Sequence, residues 1–299
     1  MISVGLAFFI GCFFFPHALY AWGPVTHLSY GLEILDNLPM LILPLQELLT
    51  RFRLDFLYGC MAADIVIKKD GVKYIHNCHN WDVGIGLLDL TKTPKQRAFI
   101  YGYLSHLAAD TISHNYYVPY QTVASFSKRI IPHFYWELRL DTLQNPETWE
   151  MAKEISKKHH NTTHDKFLKK HLKRTLFSFR TNKFIFNSMM RALPSYKVLT
   201  PIFQKSPLSL EQKEIQEYRK LVLEAGIDFL NRQKESKFYL IDPSGKLALN
   251  KSKVLKKELR RIHHAASSKE IGKRLFDIKK DFKVSLFQKP YHQKWIVVQ

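Results

Sequence analysis

Cysteine is scarce in this chain of 299 residues, and so are long apolar runs and, in the second half, acidic side chains. With three cysteines, the chain is not a small domain held together by many disulfides. After residue 21, no stretch reaches the roughly 20 apolar residues that a membrane-spanning helix needs. Apolar residues make up 46% and charged residues 24% of the chain, which is ordinary for a globular protein with a sizeable core. These proportions exclude a disordered chain, a collagen-like chain and a polytopic membrane protein.

The scarcity of acidic residues leaves the second half strongly basic. Residues 151–299 carry 34 Lys and Arg against 13 Asp and Glu, whereas residues 1–150 carry 11 against 13. The whole chain has a net charge of +19. A surface of this sign predicts an anionic partner, such as phospholipid headgroups, nucleic acid or an acidic cell envelope. A cationic surface that only keeps the protein soluble is the alternative.

The first 21 residues, MISVGLAFFIGCFFFPHALYA, contain no Lys, Arg, Asp or Glu. Their apolar run up to Phe15 has the length of a signal-peptide core, and Ala21 provides a small residue before a cleavage point. We therefore expect a signal peptide over residues 1–21, cleavage between Ala21 and Trp22, and a secreted or periplasmic mature chain. An uncleaved signal anchor and a lipid attached to Cys12 are the alternatives.

Apolar residues recur at spacings of three and four along most of the remaining sequence, which predicts an all-α fold. The longest predicted helix of the first half runs from about Gln96 to His114, after a Thr-Pro pair that is typical of a helix start. Strand-like alternation is rare, with Phe238–Ile241 as one short candidate. Prolines cluster near residues 195–209. We therefore predict a multi-helix bundle over residues 22–200, and a basic helical extension over 201–299 that packs on the same domain.

Three side chains of metal-ligand type recur every fourth residue in His106-Leu-Ala-Ala-Asp110-Thr-Ile-Ser-His114. At 3.6 residues per turn, they line one face of a single helix. Apolar and small residues lie between them, so this face is expected to be buried, where polar groups need partners. A hydrogen-bonded core network would explain one such histidine, but two histidines and an aspartate in phase favour a metal site.

Further candidate ligands lie on both sides of this motif. His133 and Glu137 have the same four-residue spacing in an aromatic segment, and an imidazole with a carboxylate suits zinc. Asp141 follows one turn later and is expected either to orient a ligand histidine or to pair with a cation such as Arg139. The upstream candidates are Asp64 in an apolar segment, His79 with His76 as its rival, and His27. By contrast, His159, His160, His164 and His171 lie among lysines and predict a solvated face.

Taken in order, these residues resemble the zinc-dependent phospholipase C superfamily, which also includes fungal single-strand nucleases. The resemblance covers about Trp22 to Asp141. In that family the mature chain begins with a tryptophan whose free amine and carbonyl bind zinc. The resemblance therefore implies up to three zinc ions, held by Trp22, His27, Asp64, His79, His106, Asp110, His114, His133 and Glu137.

The resemblance also groups these ligands. It assigns Trp22 and His27 to one ion, and it assigns His114, His133 and Glu137 to another. The central ion takes the other four, and Asp110 spans it and the first ion. The four-residue gap from Asp110 to His114 is shorter than in the phospholipases. It looks like the variant found in uncharacterised bacterial members and in the metal-binding part of glycosylphosphatidylinositol-cleaving phospholipases.

The implied function is secreted, zinc-dependent hydrolysis of a phosphodiester, with phospholipid headgroups as the expected substrate. A coordinated water that loses its proton near neutral pH would attack phosphorus, and we expect Asp64 to act as both ligand and proton acceptor. Two alternatives remain at this point. One is a zinc-dependent single-strand nuclease whose basic half follows a phosphate backbone. The other is a non-catalytic, metal-stabilised protein that binds a membrane or envelope.

Overall fold

The computed structural model describes residues 23–65, 78–128, 133–158, 163–172, 178–192 and 210–288. Within these segments, the secondary structure is helical and contains no strand. The α-helices, numbered in chain order, are α1 (Pro24–Asp36), α2 (Leu43–Arg51), α3 (Arg53–Ala62), α4 (Trp81–Asp89), α5 (Pro94–Ile112), α6 (Val118–Ala124), α7 (His133–Asp141), α8 (Pro146–Lys158), α9 (Thr163–His171), α10 (Phe179–Ala192), α11 (Gln212–Arg232), α12 (Lys246–Ile262) and α13 (Ser268–Gln288).

Short turns of other helical types connect some of these helices. A π-helical turn at Ser113–Tyr117 joins α5 to α6, and a 3-10 turn at Ala63–Ile65 follows α3. The prediction of an all-α fold is confirmed. The short strand expected at Phe238–Ile241 was wrong, because Lys237–Leu240 forms a 3-10 turn. The hydroxyl of Ser236 accepts a hydrogen bond from the backbone N–H of Phe238 at 3.1 Å, and this local cap favours a turn over an extended strand.

Helix α5 lies at the centre of the bundle. Thr93 caps its N-terminus by accepting a hydrogen bond from the backbone N–H of Gln96, and Pro94 occupies the first turn. Every residue from Ala98 to Ile112 is buried. A helix that is buried on all sides needs neighbours on all sides, and α1, α3, α4 and α11 pack around this one. The predicted motif therefore lies in the core.

Helices α3 and α5 cross at two glycines. A Cβ atom added to Gly59 would overlap the carbonyl oxygen of Phe99, and one added to Gly102 would overlap the carbonyl oxygen of Phe56. Either added Cβ would lie 2.9 Å from the Cα atom of the opposite glycine. The two backbones are thus in direct contact, and a side chain at either position would push the helices apart. The contact sets the distance between the 3-10 turn after α3 and the central face of α5.

A buried ionic network attaches α9 and α10 to α3. The hydroxyl of Tyr58 donates to Asp165 and accepts from the ammonium of Lys183, whose Nζ lies 3.4 Å from Asp165 Oδ1. Next to it, Nε2 of His164 lies 2.6 Å from Asp55 Oδ1. The expected solvated face was therefore wrong at His164, which is buried because it has an acidic partner on α3.

The basic C-terminal helices contact the rest of the bundle. Helix α11 packs along α5, and both α12 and α13 contact α6 and the π-helical turn. The guanidinium of Arg219 on α11 forms an ion pair with the carboxylate of Glu33 on α1. Among the described segments, no helix combines the length and apolarity that crossing a bilayer requires.

Candidate metal centre

The face of α5 predicted from the four-residue spacing is deeply buried. His106 is 1% exposed, Asp110 is 0% exposed, and His114, in the π-helical turn, is 2% exposed. Imidazoles and a carboxylate at such depth need compensating partners. The partners are side chains from α1, from the turn after α3, from the segment before α4 and from α7, as the following distances show.

Asp64, His79 and His106 form the central group. Nε2 of His79 lies 3.3 Å from Asp64 Oδ1 and 3.3 Å from Nε2 of His106, which itself lies 3.5 Å from Asp64 Oδ1. Asp64 is in the 3-10 turn that follows α3. His79 is fixed just before α4, where the carbonyl of the preceding residue accepts a hydrogen bond from Tyr103 on α5. The three ligand-type atoms thus converge on one small volume.

Asp110 faces two groups at once. Its Oδ2 lies 3.2 Å from Nε2 of His106 and 3.5 Å from Nε2 of His79, whereas its Oδ1 lies 3.4 Å from Nε2 of His27. His27 comes from the first turn of α1, and its ring stacks on that of His106 with centroids 3.6 Å apart. The two oxygens of Asp110 therefore point toward two adjacent positions, which is the geometry of a bridging carboxylate.

His114 and Glu137 form the third group. Nε2 of His114 lies 3.4 Å from Oε1 of Glu137, which is on α7. Both side chains are buried. An imidazole and a carboxylate at this distance again match a pair of metal ligands.

Backbone carbonyls hold two of the histidine rings from behind. Nδ1 of His106 lies 2.9 Å from the carbonyl oxygen of Cys60, and Nδ1 of His114 lies 2.7 Å from the carbonyl oxygen of Pro243. Because a carbonyl can only accept, each Nδ1 carries the proton, and each Nε2 lone pair faces the cluster. Such an N–H bond to a carbonyl is the usual support of a histidine that ligates a metal.

The pKa values of the buried groups in the cluster shift in different directions. Burial, with His106 beside it, lowers the pKa of His27 to about 4, so this ring is neutral at physiological pH. Burial opposes ionisation of Asp110, but the neighbouring imidazoles, foremost those of His106 and His114, lower its pKa well below the usual range. Burial raises the pKa of Glu137 to about 8 despite the contact with His114.

These residues fit bound cations. Within the described part of the chain, Asp64 Oδ2 and both carboxylate oxygens of Asp110 are buried without a hydrogen-bond partner. Two sets of atoms lie close enough together to share an ion, namely His27, His106 and Asp110, and Asp64, His79 and His106. Divalent cations would neutralise these buried carboxylates, and the nitrogen and oxygen donors suit zinc.

Comparison with known families agrees with this chemistry. A family model described as zinc-dependent phospholipase C matches residues 26–186, which is more than half of the chain. The chain belongs to this family. No curated protein and no solved structure matches it significantly. The resemblance seen in the sequence and the expected zinc cofactor are thereby confirmed, and the protein is a phosphodiesterase-type member of the zinc-dependent phospholipase C family.

Two of the nine predicted ligands are not positioned by the structure. Trp22 lies outside the described residues. His133 is the first residue of α7, and its side chain lies outside the described part of the structure. The other seven, His27, Asp64, His79, His106, Asp110, His114 and Glu137, lie in the contacts given above, in the three groups that the phospholipase C resemblance implies.

Asp141 supports the candidate metal centre through α1. Its Oδ1 accepts hydrogen bonds from the backbone N–H and the hydroxyl of Thr26, at 2.8 and 2.6 Å. A Cβ added to Gly23 would overlap the same carboxylate. Burial raises the pKa of Asp141 to about 7, although both bonds from Thr26 oppose this shift. Asp141 therefore holds the N-terminus of the helix that carries His27, which is an indirect form of the orienting role expected from the sequence.

Sequence reasoning missed the supports that come from the backbone. The carbonyls of Cys60 and Pro243 carry no side-chain signature, so no residue pattern points to them. The contact from Pro243 also comes from beyond residue 186, where the family match ends. The nearby aromatic residues Trp81, Tyr116, Tyr117 and Trp136 are fully buried in the core.

Proposed function

We propose that this protein is a secreted phospholipase C that cleaves the phosphodiester bond between the glycerol and the headgroup of phospholipids. The observation that carries the proposal is the buried cluster in which Asp110 faces both His27 and the His79–His106 pair. A further pair of ligand-type residues, His114 and Glu137, lies next to this cluster. Three adjacent cation positions suit an anionic phosphodiester, which must be bound and attacked at the same place.

The chain's own residues have separable roles in this proposal. When bound, zinc supplies Lewis acidity, which lowers the pKa of a water molecule and neutralises the charge of the phosphate. Asp110, whose two oxygens face different imidazoles, would serve as a ligand on both sides. Asp64 contacts the histidines through Oδ1, and its Oδ2 accepts the proton of the attacking water. Glu137 and His114 would hold a further cation, whose charge would stabilise the leaving oxygen.

The N-terminus belongs to the proposed site. His27 lies in the first turn of α1, which begins at Pro24, so a chain cut after Ala21 would start two residues before this helix. The free amine of Trp22 would then complete the cation position shared by His27 and Asp110. This supports a signal peptide over residues 1–21 and a mature chain outside the cytoplasm.

A mature protein that begins at Trp22 is expected to bind one zinc ion more than the same protein carrying Gly-Ser before Trp22. The extension turns the amine into an amide, which does not ligate zinc, while the side chains remain unchanged. Elemental analysis of both proteins, each purified without chelator or histidine tag, measures the difference. N-terminal sequencing of the secreted protein should begin at Trp22. Equal zinc content in the two proteins, or a secreted chain that starts at Met1, would exclude the amine as a ligand.

The surface of α12 and α13 favours a phospholipid interface. Helix α12 carries seven Lys and Arg against one Glu. Leu247 on α12 and Phe276 on α13 are 69% and 67% exposed, and Val254 and Phe287 are exposed as well. Basic side chains interleaved with exposed apolar ones suit a membrane surface, where lysines meet anionic headgroups and apolar residues enter the interface.

The first test compares two substrates. The protein 22–299, loaded with zinc, is incubated with phosphatidylcholine vesicles, with and without phosphatidylglycerol, and separately with single-stranded DNA. We expect release of phosphocholine, faster from the vesicles that contain the anionic lipid, and no release after zinc has been removed with chelator. Nucleotides released from DNA with intact vesicles would instead establish the nuclease alternative. A zinc-loaded protein that cleaves neither would fit a non-catalytic membrane-binding or envelope-binding role.

A further inference from the structure

A turn from the C-terminal region reaches the back of the metal centre. In the turn Ile241–Gly245, the carbonyl of Pro243 accepts a hydrogen bond from Nδ1 of His114 at 2.7 Å. Nδ2 of Asn115 donates to the carbonyl of Asp242, also at 2.7 Å. The turn lies between α11 and α12, well beyond residue 186, where the family match ends. A segment outside the matched region thus contacts a residue that the match includes.

Hydrogen bonds hold the turn at its first residue and from within. Nε1 of Trp81 on α4 donates to the carbonyl of Ile241 at 2.9 Å. Inside the turn, the carboxylate of Asp242 accepts hydrogen bonds from the backbone N–H of Ser244 at 2.9 Å and from its hydroxyl at 2.7 Å. These bonds leave the Pro243 carbonyl little freedom to move away from His114, because its neighbours on both sides are tied down.

Gly245 brings the turn against the π-helical turn. Its φ of 56° lies in the left-handed region, which favours glycine. A Cβ atom at this position would overlap the carbonyl oxygen and the Cβ of His114. Only a residue without a side chain lets the two backbones approach this closely. The close approach and the hydrogen bond from Nδ1 therefore act on the same histidine.

We propose that the turn Ile241–Gly245 is a positioning element for His114, so that the C-terminal region completes the cation position of His114 and Glu137. The carbonyl of Pro243 keeps the proton on Nδ1 and aims Nε2 at Glu137, 3.4 Å away. This inference rests on the metal assignment made for the proposed function. It gives residues beyond the family match a part in the metal centre itself.

The test replaces Gly245 with alanine in the zinc-loaded protein, with Gly272→Ala as the matched control. Gly272 lies on α13, and an added Cβ there would meet no atom within 4 Å. We expect Gly245→Ala to lower the affinity for one zinc ion by about 10- to 100-fold in chelator competition, with the affinity for the other zinc ions unchanged. The control should bind all its zinc as the wild type does. Asp242→Ala, which loosens the turn without adding bulk, should also lower the affinity for this zinc ion, but by a smaller factor.

A second readout is independent of both zinc and activity. The Nδ1–H proton of His114 should give a solvent-protected NMR signal, assigned by its loss in His114→Gln, and this signal should disappear or exchange rapidly in Gly245→Ala. A retained signal with wild-type zinc affinity in both turn variants would overturn the positioning role. A wild-type protein that shows the protected signal but binds no zinc would instead overturn the metal assignment, so the two failures can be told apart.

Discussion

Replacing Asp110 with asparagine is expected to remove zinc and phosphodiesterase activity together. The two oxygens of Asp110 face His27 on one side and the His79–His106 pair on the other. Asparagine keeps the size of the side chain but removes its charge and one of the two acceptor oxygens, so it cannot serve two cations. We expect the loss of at least one zinc ion per chain and a fall in the rate of phosphodiester cleavage of about 10³-fold.

The matched control for this variant is Asp89→Asn. Asp89 is the last residue of α4 and is exposed, so the same chemical change there should leave zinc content and activity unchanged. Elemental analysis and phosphocholine release are measured on both variants, with circular dichroism to compare their helical content. Normal zinc content in Asp110→Asn, with wild-type helical content, would contradict the bridging assignment.

Replacing Gly102 with alanine should have the largest effect on stability. The added methyl group would overlap the carbonyl oxygen of Phe56 and lie 2.9 Å from the Cα atom of Gly59. Both neighbours are backbone atoms, which cannot move aside as a flexible side chain can. We expect the free energy of unfolding to fall by about 3 kcal/mol, which corresponds to a decrease of about 10 °C in the thermal midpoint.

The control is the same change at Gly86, on α4, where an added Cβ would meet no atom within 4 Å. Alanine favours a helix over glycine by up to about 1 kcal/mol, so Gly86→Ala should leave the thermal midpoint unchanged or raise it. Thermal unfolding of the zinc-loaded proteins, followed by circular dichroism, measures both. Equal midpoints in Gly102→Ala and Gly86→Ala would mean that α3 and α5 can separate at little cost, and that their crossing does not fix the position of Asp64.

The parts of the site that could be predicted from sequence are those set by local helical geometry. The four-residue spacing of His106, Asp110 and His114 placed these side chains on one face before any long-range contact was known. His79 and Asp64 could be proposed only from residue type and from the family resemblance. Their meeting point depends on how α3 crosses α5, and the glycines at that crossing give no signal of their function.

The contacts that could not be predicted join residues that lie far apart in the chain. The bond from His114 to Pro243 spans 129 positions and uses a backbone carbonyl. The burial of His164 likewise depends on Asp55, 109 positions earlier, although the lysines around His164 favoured a solvated face. In both cases the deciding partner lay on a distant segment.

The wide separation of the ligands along the chain has a consequence for how the fold is held together. His27 and Glu137 are 110 positions apart, and the candidate ligands between them come from the 3-10 turn after α3, the segment before α4, α5 and the π-helical turn. Ions bound by such distant groups close long loops, and binding to the folded chain alone raises its stability. Cys60 and Cys78 are buried and are not joined to each other. In this cysteine-poor chain, zinc held by these residues would act as a reversible cross-link between distant segments.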